Sequence, residues 1–325
     1  MTRARVLLSM LLMLGAANFA QVQVAQSQSY PNKPIKLVVG FPAGGATDTT
    51  ARLIASRMQA ALGQTIIVEN IGGAGGSIAA KQVAVAPPDG YTLMMTTTSA
   101  FGTMPRLYKL DYDPVKALAP VATLVMDKQV LVAGPSWPVK TAQDAVAQAK
   151  AAPGKFNYGS AIGIGPHFAF ELFKRKSGID ITHVPYRGGG PMITDLIGGQ
   201  IHATINGKSV LGQHIASGKV RALGVTGAQR WGDMKDVPTL MEAGFLDAPY
   251  DTLFGIVAPA GVPAAVVDRL NAVINEGLRS AEMRAGLAKL GIEPYVTTPA
   301  EFAKLIAEEA PRWGEAVTLT GIKAQ

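Results

Sequence analysis

The chain has 325 residues, of which 48% are hydrophobic and 16% are charged, and it contains no cysteine. Its formal net charge of +7 comes from lysines and arginines that are scattered along the sequence. Because these residues form no basic stripe interleaved with aromatic side chains, the sequence predicts no nucleic acid as a partner. A chain of this length buries a large core without disulfide bonds, and its length predicts two domains.

Residues 1–26 have the pattern of a secretory signal peptide. Arg3 and Arg5 form a basic start, an apolar run extends from Val6 to Ala17, and a polar stretch follows. The run is too short for a transmembrane helix, which needs roughly twenty apolar residues. Without cysteine, the exported chain forms no disulfide bond and carries no lipid-modified cysteine. The sequence therefore predicts export to the periplasm.

Strands and helices alternate in the first part of the chain. The predicted elements are a strand at Ile35–Val39, a helix at Asp48–Leu62, a strand at Gln64–Glu69, a helix at Ile78–Val85 and a strand at Tyr91–Thr97. This β-α-β-α-β order is typical of a doubly wound, mostly parallel sheet.

The alternation starts again near residue 129. Strands are predicted at Gln129–Ala133, Phe156–Gly159, Ile181–Val184, Ile201–Ile205 and Val220–Val225, and helices at Thr141–Ala151, Pro166–Lys176 and Met192–Gly198. The C-terminal part of the chain is predicted to be helical at Ala264–Leu290 and Pro299–Arg312, and it has too few strands for a third domain. We therefore expect a first lobe at 27–126, a second lobe at 127–228, and a return to the first lobe at 229–325.

Two glycine-bearing loops, each between a strand-like and a helix-like segment, indicate a binding site. They are Phe41–Asp48 and Gly159–His167. Glycines let the main chain approach a ligand, and the free N–H groups at a helix start bind anions without a cationic side chain. Either loop alone would also fit an ordinary strand-to-helix turn. Two such loops, far apart in sequence, predict a pocket that holds an acidic small molecule between two lobes.

An ordered set of short motifs extends over essentially the whole chain after the signal peptide. In order, these motifs are Tyr30–Ile35, Phe41–Asp48, Pro88–Leu93, Asn157–Ser160, His183–Gly188, Asp195–Gln200, Arg221–Thr226, Asp236–Thr239 and Ala258–Pro263. Together they resemble the Bug (TctC-like) solute-binding proteins of tripartite tricarboxylate transporters.

This resemblance implies an α/β, type II periplasmic-binding-protein fold with a ligand cleft between two lobes. Family members bind small carboxylates, including dicarboxylates, tricarboxylates, amino acids and aromatic acids. They deliver these ligands to permease subunits in the membrane and catalyse nothing. The resemblance therefore implies a receptor without a cofactor or a metal, and we expect it to be a monomer.

The resemblance also implies ligand contacts at matching positions of this chain. In the first lobe they are Phe41, Ala43, Gly44, Gly45, Asp48, Thr49, Thr97, Thr98 and Ser99. In the second lobe they are Ser160, Ala161, Gly163, His167, Tyr186, Arg187, Gly188 and Asn206. Asn206 stands where the family often has Asp, and Pro166 stands where many relatives have a small polar residue. We expect both differences to adapt the site to a particular acid.

Four of these residues have an alternative, structural interpretation. Asp48 and His167 lie at helix starts, where each is equally suited to cap the helix. Arg187 is equally suited to a salt bridge within its lobe. Tyr186 fits a wall of a small-molecule cleft better than it fits a catalytic acid.

Two other classes of protein remain as alternatives at this stage. An exported hydrolase is disfavoured, because the chain lacks the Gly-x-Ser-x-Gly nucleophile motif and a histidine-acid spacing typical of zinc. Nucleotide enzymes are disfavoured because the chain has neither the Gly-x-Gly-x-x-Gly fingerprint nor the Walker A sequence. A receptor that presents its bound carboxylate to a sensor partner has the same sequence features as a transport receptor.

Overall fold

The computed structural model describes residues 30–323. The predicted signal peptide at residues 1–26 lies outside the described residues. Between residues 30 and 323 the strands are β1 (Ile35–Val39), β2 (Ile66–Asn70), β3 (Thr92–Thr97), β4 (Leu118–Asp127), β5 (Gln129–Ala133), β6 (Asn157–Ser160), β7 (Thr182–Pro185), β8 (Ala203–Gly207), β9 (Arg221–Val225), β10 (Thr252–Pro259) and β11 (Glu293–Pro294).

Helices connect most of these strands. They are α1 (Ala46–Leu62), α2 (Ser77–Ala84), α3 (Ser99–Gly102), α4 (Met104–Leu107), α5 (Pro114–Ala117), α6 (Ala142–Ala151), α7 (Gly165–Ser177), α8 (Gly189–Ile197), α9 (Lys208–Ala216), α10 (Ala264–Arg279), α11 (Ala281–Lys289) and α12 (Pro299–Thr320). None of the helices in this range is long and apolar enough to span a membrane.

The strands form two separate sheets, which define the two lobes. The sheet of lobe I has the order β11-β4-β10-β3-β1-β2, and the sheet of lobe II has the order β7-β6-β8-β5-β9. Helices flank both sheets, and each sheet carries its own buried core. The expected two-lobed α/β architecture is confirmed.

Both sheets are mixed, which corrects the expectation of mostly parallel sheets. In lobe I, β1 is parallel to β2 and β3, whereas β10 is antiparallel to β3 and β4. In lobe II, β6 is parallel to β7 and β8, whereas β5 is antiparallel to β8 and β9. The antiparallel strands are those through which the chain leaves lobe I and returns to it.

The sequence analysis assigned no strand to β4 or β10. Both are almost entirely buried, so they lack the alternation of polar and apolar residues that marks a half-buried strand. Their pairing joins Thr252 to Asp127 and Pro259 to Leu118 across more than a hundred residues of chain. A local sequence pattern gives no information about pairing between segments so far apart in the chain.

The segment that follows β9 packs on lobe II. Thr239 forms a parallel bridge with Val225, and the Leu240 N–H donates to the Val225 carbonyl oxygen at 2.8 Å. Trp231 is buried in the same core cluster as Val225. These contacts lead us to propose that lobe II extends to about residue 251, further than the predicted bound at 228.

Helix α12 contacts both lobes and continues beyond its predicted end at Arg312. Its N-terminus is fixed by a capping box between Thr298 and Glu301. Phe302 packs in a core cluster of lobe I, whereas Trp313 packs in the main core cluster of lobe II. We expected the C-terminal part of the chain to pack against lobe I. It does so, and it also contacts lobe II.

Candidate functional site

A cavity of about 640 Å³ lies between the two lobes. The main-chain loops of lobe I and the strands that cross between the lobes contribute Phe41–Thr47, Gly75, Thr97, Met104, Asp127, Gln129, Thr252 and Phe254. Lobe II contributes Ala161, Gly163–Pro166, Arg187–Met192, Asn206, Gly207 and Val210. We refer to this cavity as the cleft.

The cleft lies at the carboxyl ends of parallel strands in both lobes. In lobe I, the loop after β1 forms one wall, and residues that follow β2 and end β3 also contribute. In lobe II, the loops after β6 and β7 and the end of β8 form the opposite wall. Ligand sites of open α/β sheets occur at this position, because the loops leave the strands toward the same edge.

Three helices begin at the cleft without a side-chain cap. Helix α1 starts after Gly45, α7 after Ile164 and α8 after Gly188. The first N–H groups of a helix have no partner inside the helix, and the helix dipole places partial positive charge there. Pro166 removes one of these donors from α7. The cleft wall is therefore suited to bind an anion through main-chain groups.

Asp48 stabilises the first loop but does not line the cleft. It is 3% exposed, and its carboxylate accepts hydrogen bonds from Gly44 N at 2.9 Å, Arg52 Nε at 3.0 Å and Asn70 Nδ2 at 2.9 Å. Burial alone would raise the pKa of Asp48, but these bonds hold it below its usual range. Asp48 therefore supports the loop, whose Gly44 has a φ of 82°. The neighbouring Thr49 is exposed and also lies outside the cleft lining.

His167 and Ser160 support the second loop in a similar way. His167 is 5% exposed, and its Nδ1 accepts from Gly163 N at 3.2 Å. Its ring stacks on His183 with 4.2 Å between the ring centroids. Burial, followed by the proximity of His183, lowers the pKa of His167 to about 3, so the ring is neutral. His167 holds Gly163 in place and is not among the residues that line the cleft.

A serine and a histidine lie at hydrogen-bond distance, which bears on the hydrolase alternative. Ser160 Oγ lies 2.8 Å from His183 Nε2. However, Ser160 is buried and is not among the residues that line the cleft, so its hydroxyl is not presented to a ligand there. Residues 30–323 also contain no group of three or more potential metal ligands. The Ser160–His183 pair therefore offers no nucleophile to the cleft.

Two further predicted contacts, Tyr186 and Thr98, lie outside the lining. Tyr186 donates its hydroxyl to Asp195 Oδ2 at 2.7 Å, and burial together with Asp195 raises the pKa of Tyr186 to about 12. Thr98 is 1% exposed, and Ser99 begins the short helix α3.

The remaining predicted residues come together at the cleft. They are Phe41, Ala43, Gly44, Gly45, Thr97, Ala161, Gly163, Arg187, Gly188 and Asn206. Arg187 is exposed and has no hydrogen bond or ion pair with other residues in the described part of the chain. Contact between these residues and a ligand stays a prediction.

The sequence analysis missed two groups of lining residues. The first is the start of α8 at Gly189 and Gly190, for which the glycine run before Pro191 was an available signal. The second group lies on the crossing strands and includes Asp127, Gln129 and Thr252. No local signal marks this group, because the fold alone brings the two crossings to the cleft.

Asp127 is a buried carboxylate in the lining of a cleft that otherwise presents donors. It is 4% exposed, and it accepts from Ser209 N at 3.2 Å and from Ser209 Oγ at 2.6 Å. Any side chain at Gly207 would overlap with this carboxylate, since a Cβ there would lie 2.0 Å from Asp127 Oδ2. Burial raises the pKa of Asp127 to about 6, and Asp251 adds to the shift.

These observations define a two-lobed binding protein with an anion-competent cleft. A family model described as the tripartite tricarboxylate transporter family receptor (TctC) matches residues 50–322. The chain therefore belongs to this family and is a Bug-type (TctC-like) solute-binding protein, as the resemblance implied. Proteins of this family are solute-binding proteins, and the chain is not an enzyme.

Individual relatives match the chain over most of its length. Protein BugT of Bordetella pertussis is 35% identical over 303 residues, which cover 91% of this chain and 92% of that protein. The structure of R. palustris Rpa4515 with adipate is 35% identical, covers 90% of this chain and 99% of that chain, and has a TM-score of 0.83. The structure of MatC (Rpa3494) from Rhodopseudomonas palustris with bound malate is 33% identical, covers 89% of this chain and 100% of that chain, and has a TM-score of 0.81.

The role of Asp48 predicts the effect of Asp48→Asn. The amide keeps the shape but loses the charge that three donors share, so the free energy of unfolding at pH 7 should fall by about 2 kcal/mol. Because the pKa of Asp48 is lowered, this stabilisation is lost in acid, and the difference between the two proteins should shrink there. Urea denaturation measures both effects. Asp268→Asn, at an exposed acid on α10, is the control and should change little; equal losses in both variants would contradict this role.

The raised pKa of Asp127 predicts a stability change of the opposite sign. Between about pH 4 and pH 6 the native protein keeps a proton on Asp127 that the unfolded chain has released, so this carboxyl destabilises the protein as pH rises. The Tm of Asp127→Asn relative to that of the wild type should therefore increase across this range. Thermal melts at several pH values measure the difference. A constant difference from pH 4 to pH 7 would contradict the raised pKa.

Proposed function

We propose that the protein is a periplasmic receptor that captures a small carboxylate between its lobes. It then delivers this ligand to the permease subunits of a tripartite tricarboxylate transporter. The observation that carries the proposal is the convergence of three uncapped helix N-termini on one cleft. Such groups stabilise a carboxylate without an obligatory ion pair.

The charge and shape of the cleft support an organic acid as the ligand. Arg187 lies beside the start of α8 and adds a cation to the donors there. Phe41, Met104, Met192 and Phe254 give the cleft an apolar part, which suits the carbon skeleton of such an acid. Two relatives point the same way, since their structures contain adipate and malate.

The two-lobed architecture supports capture by closure. Loops from both lobes form the cleft, so a ligand gains its full set of contacts only when the lobes approach each other. The family is that of transporter receptors, which supports delivery to membrane subunits and a location in the periplasm. We propose that the receptor acts as a monomer.

The proposal predicts that a carboxylate raises the Tm of the purified protein, because a ligand of the native state stabilises it by mass action. A thermal-shift screen with mono-, di- and tricarboxylates and aromatic acids identifies the best ligand, and calorimetry gives its Kd. Mass spectrometry after incubation should return this ligand unchanged. If no acid in the screen shifts the Tm, the proposed function is wrong.

A matched pair of glycine variants tests whether the ligand lies in the cleft. A Cβ at Gly188 meets no protein atom within 4 Å, so Gly188→Val should fold normally. Its side chain would obstruct the start of α8, and the affinity should fall by about tenfold or more. A Cβ at Gly232, outside the cleft, also meets nothing within 4 Å, and Gly232→Val is the control. Equal affinities of both variants would place the ligand elsewhere.

A further inference from the structure

The side of the cleft formed by the crossing strands presents hydrogen-bond acceptors. Asp127 ends β4 and Gln129 begins β5, where the chain passes from lobe I to lobe II. Both residues line the cleft, although Asp127 is only 4% exposed and Gln129 only 1%. Alternate residues of an extended chain point to the same side, which explains why two residues separated by one position share this surface.

The carboxylate of Asp127 has no cationic partner in the described range. Lys128, its neighbour in the chain, pairs with Glu293, and Lys208, which precedes Ser209, pairs with Asp233. The carboxylate accepts two hydrogen bonds from Ser209, one on each oxygen. An ionised carboxylate has about four acceptor positions, so it keeps capacity for a donor from the cleft.

The amide of Gln129 carries a second acceptor. Its Nε2 donates to Thr252 Oγ1 at 2.6 Å, whereas its Oε1 is buried and has no hydrogen-bond partner among residues 30–323. A buried acceptor without a partner lowers stability, and such a group in a cleft gains a partner when a ligand with a donor binds. Gln129 is also tied to the crossing by its main chain, because its N–H donates to Asp251 Oδ1 at 3.1 Å.

The rest of the cleft has the opposite character. The starts of α1, α7 and α8 present main-chain N–H groups, and Arg187 adds a positive charge. A carboxylate is therefore stabilised at the helix starts and repelled by the charge of Asp127. A hydroxyl or ammonium group has the reverse preference.

We propose that Asp127 and Gln129 form an acceptor subsite, which binds a hydroxyl or ammonium group of the ligand and excludes a second carboxylate. This inference rests on the proposed function, since it places the single carboxylate of the ligand at the helix starts. The substrate class is then a monocarboxylate that carries a hydrogen-bond donor elsewhere on its skeleton. Dicarboxylates and tricarboxylates bind weakly.

A purely structural role for Asp127 makes a different prediction. Through its bonds to Ser209, Asp127 also fixes the first turn of α9. If this were its whole role, a substitution would change stability, but it would not change the ranking of ligands with the same skeleton. The test is therefore a ratio of affinities.

The experiment compares acids that differ only at the end away from the first carboxylate. One series is hexanoate, 6-hydroxyhexanoate, 6-aminohexanoate and adipate, and the same four end groups are placed on the skeleton of the strongest ligand from the thermal-shift screen. Calorimetry on the wild-type protein should show the donor-bearing acids binding about tenfold or more tightly than the diacid. The hydroxyl and ammonium members show which donor the subsite prefers.

Asp127→Asn should reduce this ratio by about tenfold, because it removes the repulsion of the diacid and the attraction of the ammonium. Gln129→Leu, which removes the second acceptor, should weaken the donor-bearing acids without improving the diacid. Asp268→Asn is the control, since Asp268 is an exposed carboxylate on α10 that does not line the cleft. It should leave the ratio unchanged.

Three results would overturn the subsite. They are a diacid that binds the wild type as tightly as the donor-bearing acids, an Asp127→Asn variant with the wild-type ratio, and an equal change of ratio in Asp268→Asn. The first result needs no variant, so the test stands even if a substituted protein fails to fold. In each case carboxylates still bind and the proposed function survives, whereas a screen without any bound acid contradicts the proposed function itself.

Discussion

The main-chain N–H groups at the start of a helix have no partner inside the helix, and in this protein three helices begin at one cleft without a side-chain cap. This constraint explains the composition of the surrounding loops. Glycines at the helix starts keep side chains away from the donors, and the remaining polar side chains support the loops from behind. The cleft thus gathers partial positive charge from two lobes, and a ligand that satisfies it also joins the lobes.

Two buried aspartates show how the same side chain serves different purposes at one site. Asp48 accepts three hydrogen bonds, one of them from Arg52, and its pKa is lowered. It fixes the first loop through the main chain of Gly44, and the residues of that loop line the cleft. Asp127 has no cationic partner in the described range, and burial raises its pKa to about 6. Asp127 lines the cleft, and in the proposed subsite its charge disfavours a second carboxylate of the ligand.

The local elements were predictable because their signals lie within short segments. Ile35–Val39 and Gln129–Ala133 are strands with the predicted bounds, and the glycine loop after β1 lines the cleft as expected. The crossing strands β4 and β10 were not predictable, since they are buried on both faces and pair over a long separation in sequence. These two strands make the sheet of lobe I mixed, whereas β5, antiparallel to β8 and β9, makes the sheet of lobe II mixed.

The same distinction applies to the site. A sequence shows that Asp48 and His167 lie at helix starts, but not on which side of the loop they lie, and the structure places both behind it. Asp127, Gln129 and Thr252 were missed because they reach the cleft only when the chain crosses between the lobes. Motifs within one loop were thus informative about donors, whereas the acceptors depend on tertiary structure.

The most direct test of the main-chain anion site is a crystal structure of the protein with its strongest-binding acid. The account predicts that the carboxylate oxygens lie about 3 Å from main-chain nitrogens at the starts of α1 and α8, with the two lobes closed around the ligand. A carboxylate held only by the Arg187 guanidinium, away from both helix starts, would contradict it.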